Sequence, residues 1–222
     1  MAELRFRSHL QHPWVRALLG VWAACAALPA LAHHVMDGAT PATALQGLLS
    51  GLAHPVIEID HFVFLLGAGV ALARGGQAVR GIALCVALFV AAGFAGTLLR
   101  ITVPELPFAE AAVAVSLLAL AAMLWWRRWP ATAAVAATLT AAAGLVHGYA
   151  YGEAIVGAEA TPLAGYLAGL AIVQAALLAA CVIAARALGR RWGTGRVTVG
   201  TRPLAVLAAA VGLFGLAAPL WG

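Results

Sequence analysis

His54-Pro55-Val56-Ile57-Glu58-Ile59-Asp60-His61 runs straight into the apolar segment 62–73. Two histidines and two carboxylates thus stand at the mouth of a run that otherwise reads as membrane helix. An ionisable side chain at the centre of a bilayer costs ~2.5–3.5 kcal/mol on insertion scales, so such a residue marks a functional site by default. A second cluster, His147-Gly148-Tyr149-Ala150-Tyr151-Gly152-Glu153, closes another apolar segment.

The rest of the chain fixes the class. Its 222 residues are 64% hydrophobic and 9% charged, against about 45–50% and about 25% in soluble domains. There is too little polar surface to coat a globule, so the chain reads as an all-α integral membrane protein. The apolar runs are unbroken and lack the period-2 alternation of a barrel. All 13 basic residues are arginine, and the net charge is +5. In a soluble chain that charge would suggest nucleic acid. Here the arginines fall in short loops and read as topology determinants, so no nucleic-acid partner is expected. Cys25, Cys85 and Cys181 sit singly in apolar runs and read as small buried residues.

Residues 1–32 read as a signal peptide. Arg5, Arg7 and Arg16 form the basic region, 17–28 the apolar core, and Ala30-Leu31-Ala32 the cleavage site. An uncleaved helix over 14–31 is the alternative. Cleavage would put His33 and His34 at the mature N-terminus, as metal-chelating or merely solvated residues. Residues 33–222 then form one domain, a bundle of about six transmembrane helices. The expected spans are 55–73, 81–99, 108–126, 131–151, 163–185 and 203–221. Segment 45–52 is left open as a half-helix, a re-entrant piece or an extension of the first span, with Gly47, Gly51 and Pro55 suggesting a break.

The loops agree with this path. With the mature N-terminus outside, Arg74, Arg80, Arg127, Arg128, Arg186, Arg190, Arg191, Arg196 and Arg202 lie inside. Only Arg100 lies outside, beside Glu105, Glu153 and Glu159. Both termini are then expected in the periplasm of a bacterium, around a multi-pass inner-membrane protein. Trp125, Trp126, Trp129, Trp192 and Trp221 fall at expected interfaces.

On a regular helix His54, Glu58 and His61 would share one face. Pro55 is at home at the first helical position, which would leave His54 outside as a cap. Asp60 is then a ligand from another angle or holds a histidine ring. Imidazole plus carboxylate suits nickel, cobalt, zinc, iron or copper(II) better than magnesium or calcium. The bland alternative is a wetted patch at the membrane interface. The first cluster opens an inward span and the second closes an outward one. Both therefore fall in the outer half of the membrane and are expected to form one site. Tyr149, Tyr151 and Gln174 are candidates for its surroundings or for a path. For Gln174 the alternative is an interhelical hydrogen bond.

At these two clusters the chain resembles the HupE/UreJ family of nickel and cobalt permeases. The family's H-x5-D-H motif matches His54, Asp60 and His61, and its second motif matches 146–153. Glu58 stands where many members have glycine, Val146 replaces a phenylalanine, and Tyr151 an imidazole. The resemblance implies uptake of Ni2+ or Co2+ across the inner membrane, with His54, Asp60, His61, His147 and Glu153 as ligands. Glu58, His33 and His34 are possible additional ones. It implies no permanently bound cofactor and no enzyme. Two rival classes remain: a membrane metal-binding assembly or sensor subunit, and a bis-histidine haem protein, which needs two histidines across a flat dry slot.

Overall fold

A computed structural model describes residues 40–103, 105–126 and 132–218. The expected signal segment 1–32, with His33, His34, Arg127, Arg128, Trp129 and Trp221, lies outside the described residues. Among those described, the chain is helical, with no strand. The helices are α1 (Ala44–Ile57), α2 (Ile59–Arg74), α3 (Val79–Thr102), α4 (Ala109–Trp125), α5 (Ala133–Tyr151), α6 (Ala160–Trp192) and α7 (Thr194–Ala217). A 3-10 turn, Gly152–Ile155, follows α5.

Segment 45–52 belongs to a helix of its own. Thr43 caps α1: its hydroxyl accepts from the Gln46 backbone N–H at 3.2 Å, and the Gln46 side chain accepts from the Thr43 N–H at 3.1 Å. The helix stops at Glu58, whose backbone is extended, and α2 leaves at 76°. Pro55 does not start a helix, as the sequence suggests, but sits with His54 in the last turn of α1. It lacks the N–H that would bond back to Gly51, and the helix ends within one further turn. Packing explains why helix persists that far. A Cβ on Gly47 or Gly51 would collide with the backbone carbonyl of Pro162 or Tyr166 on α6. Gly165 and Gly169 meet the Ala44 and Leu48 carbonyls in the same way. These glycines therefore mark a helix-on-helix seam rather than a break.

A second seam joins α3 to α5. A Cβ on Gly144 would strike Phe89 O, one on Gly148 would strike Gly93 O, and one on Gly96 would strike Leu145 O. Contacts advance together along both chains in each seam, so each pair runs parallel. α4 packs on α7. α2 runs through the middle, where Val63, Phe64 and Leu65 join Phe89, Leu117 and Leu178 in one core. At its far end Arg74 Nη1 donates to Leu124 O at 3.0 Å and to Thr201 Oγ1 at 3.2 Å, which ties α2 to α4 and α7.

The surface is apolar and the interior holds the polar groups. Ile172 and Ile183 of α6 are 56% and 65% exposed, whereas His61, Thr97, His147 and Gln174 are at most 1% exposed. A soluble protein has the opposite arrangement. Among the described residues, three helices are each long and apolar enough to cross a bilayer, and the bent pair α1–α2 makes a fourth if it counts as one span. α4 and the 201–217 part of α7 are shorter apolar helices.

Overpacking a seam costs about 1–3 kcal/mol. Gly148→Ala and Gly51→Ala are each expected to lose that much in denaturant unfolding in micelles. Gly75→Ala, where a Cβ meets nothing nearer than 3.6 Å, is expected to stay within about 0.5 kcal/mol of wild type.

Candidate metal centre

The break between α1 and α2 is where the polar groups gather. His54 comes from the last turn of α1, Glu58 from the joint and His61 from the first turn of α2. One ligand atom from each lies within 4.8 Å of the other two. The Glu58 carboxylate faces both rings, with Oε1 3.2 Å from His54 Nε2 and Oε2 3.1 Å from His61 Nε2. Although close to that oxygen, His54 Nε2 makes no hydrogen bond. Glu58 makes no side-chain capping bond to α2, because its carboxylate is turned to the histidines. Both acids near the start of α2 sit at the positive end of its dipole.

The second cluster joins this one through His147 and Tyr151. His147 Nδ1 lies 2.7 Å from His61 Nδ1, and its Nε2 lies 2.9 Å from Ser116 Oγ on α4. Ser116 in turn donates to Val113 O at 2.7 Å. On the other flank the Tyr166 hydroxyl lies 3.0 Å from His54 Nδ1 and donates to Tyr151 O at 2.6 Å. The Tyr151 ring sits between the histidines, its centroid 4.3 Å from that of His61 and 5.3 Å from that of His54.

The other expected residues lie further out. The Asp60 carboxylate accepts from the His61 backbone N–H at 2.7 Å. Glu153 is exposed on the 3-10 turn. Neither is in the three-residue group. Glu110, exposed at the start of α4, lies within electrostatic reach of Asp60, Glu58 and Glu153, so acids ring this end of the bundle. The Tyr149 hydroxyl accepts from the Leu106 N–H at 2.9 Å and Arg100 lies over its ring, so it braces the α3–α4 connection. Gln174 is buried on α6, two turns beyond Tyr166, and its Oε1 meets no donor among the described residues.

The sequence singles out neither Tyr166 nor Ser116, which bonds back to Val113 O on its own helix. Tyr166 carries a signal in hindsight. It is a hydroxyl in an otherwise apolar span, next to a seam glycine. For Ser116 the contact with His147 exists only once α4 and α5 are packed.

The three-residue group offers two imidazole nitrogens and a carboxylate, which suits a divalent first-row transition metal. Loss of an outer partner typically costs 10–100-fold in metal affinity. His54→Ala, Glu58→Gln and His61→Ala are expected to exceed about 100-fold in calorimetric titration with Ni2+ or Co2+. Glu153→Gln is expected to change affinity little.

The family model described as HupE / UreJ protein matches residues 21–217. No curated protein and no solved structure matches the chain. The matched stretch carries both histidine clusters, every described helix and the bend that joins α1 to α2: the chain belongs to the HupE/UreJ family.

Proposed function

We propose that the chain is a permease for divalent transition metal ions, Ni2+ or Co2+, in the inner membrane of a bacterium. One observation carries the reading: His54, Glu58 and His61 converge at a helix break inside a bundle whose outer surface is apolar. Broken helices are how transporters bring polar backbone and side chains to membrane depth. The family suggests nickel or cobalt handling, and the ligand set accords with it.

The ion is cargo and not a resident cofactor, and no catalytic step is invoked. The acidic ring of Asp60, Glu110 and Glu153 raises the local cation concentration at the mouth. Glu58 supplies the charge that offsets part of the ion's own, while the imidazoles replace water. Release follows from the position of the group. One histidine rides on α1, one on α2, and the carboxylate sits at the joint. A change in the bend therefore spreads the ligands apart without unfolding either helix.

The test is accumulation of radiolabelled Ni2+ and Co2+ in cells expressing the chain at matched membrane levels. Wild type is expected to accumulate one of them, and Glu58→Gln and His61→Ala to fall to the level of empty cells. Metal binding by the purified chain without accumulation would favour an assembly or sensor subunit instead. The arginine distribution gives a separate expectation: alkaline phosphatase fused after Gly222 is active, and a fluorescent protein there is dark.

A further inference from the structure

Two hydroxyl groups outside the three-residue group decide which nitrogen each histidine offers. We infer that Tyr166 and Ser116 are positioning residues that keep a proton on Nδ1 of His54 and of His61, so that each offers Nε2, on the side of Glu58, as its metal-binding nitrogen. The inference rests on the metal-site reading above and deepens it.

The argument is a count of protons. The Tyr166 hydroxyl has one, and it goes to Tyr151 O. Toward His54 Nδ1, 3.0 Å away, the phenol oxygen is therefore an acceptor, and Nδ1 must be the donor. A ligating imidazole has one N–H, so His54 Nε2 holds the lone pair.

The second clamp is one residue longer. The Ser116 hydroxyl proton goes to Val113 O. His147 Nε2, 2.9 Å from Ser116 Oγ, must then donate. Its Nδ1 is the acceptor and His61 Nδ1, 2.7 Å away, is the donor. His61 Nε2 is left with the lone pair. The opposite assignment sets the His147 Nε2 lone pair against a serine oxygen whose proton is already committed. Two acceptors in buried contact are costly.

Both clamps end on a backbone carbonyl, Tyr151 O or Val113 O. They give one result: Nδ1 of each of these histidines is spent as a donor, so Nε2, beside the Glu58 carboxylate, is the nitrogen each has left for a cation. Both nitrogens of His147 are spent in the clamp, so this arrangement makes it an orienting partner of His61 rather than a ligand. Outer-shell partners of this kind fix ring orientation and tautomer.

The test uses the full chain in detergent micelles, with 15N-labelled histidine and Zn2+ as a diamagnetic probe. Wild type is expected to show two histidines bound through Nε2, each with a proton retained on Nδ1. Ser116→Ala and Tyr166→Phe are expected to raise the Zn2+ Kd about 10–100-fold. Each is also expected to cost its own histidine the single-tautomer signature, at unchanged helicity and monodispersity. Ser116→Thr keeps the hydroxyl and is expected to restore both readouts, which a packing defect at this position would not allow. Binding through Nδ1, or wild-type affinity in both Ser116→Ala and Tyr166→Phe while Glu58→Gln abolishes binding, overturns the clamp alone. A wild-type chain that binds no Zn2+ overturns the metal reading and the clamp with it.

Discussion

A part-buried carboxylate between two buried imidazoles is the constraint on which this structure depends. In hydrocarbon every polar group needs a partner supplied by the protein. Glu58 finds His54 and His61, and their outer nitrogens find Tyr166 and His147. The chain of contacts runs from α6 through α1 and α2 to α5 and α4. Four helices besides α2 thus have their positions set by one cluster. Its cost is carried by the apolar core that α2 forms directly below, around Phe64 and Leu65.

Backbone proximity is what lets those contacts close. Hydrogen bonds at these distances hold only while the helices that bear the groups keep a fixed, close spacing. The two glycine seams do this. Gly51 meets the backbone of the residue that holds His54, since its neighbour across the seam is Tyr166 itself. Gly148 is the residue after His147, and its contact with Gly93 sets the depth at which that ring enters the core. The seams are therefore parts of the site, although no seam glycine touches the three-residue group through a side chain.

How much of this was legible in the sequence divides along a physical line. Composition and run length carried the class, because bilayer thickness and desolvation act on stretches of about 20 residues regardless of partners. The clusters were legible because ionisable residues in apolar runs are conspicuous. The arrangement within them was not. Glu58, read as an extra carboxylate, lies at the centre, while Asp60 bonds to the neighbouring backbone and Glu153 faces outward. The difference comes from the bend. On a regular helix His54, Glu58 and His61 would share a stripe, but a 76° turn at Glu58 changes which atoms meet. Pro55 signalled a break, yet its position was misplaced by three residues. Local preference puts proline at a helix start, and the α1–α6 seam overrides it.

The backbone at the bend accommodates Glu58 without strain. A residue with extended backbone between two helices needs no glycine, since φ at Glu58 is −81°, open to any side chain. A glycine would supply flexibility and nothing else. A glutamate at the same point places its carboxylate between a histidine from each helix, so the hinge is itself part of the cluster. Ligand geometry and bend angle then become one variable. A cation held by all three groups pins α1 to α2, and rotation at the joint loosens its hold. In the proposed permease that coupling needs no distant relay, because the joint and the carboxylate are the same residue.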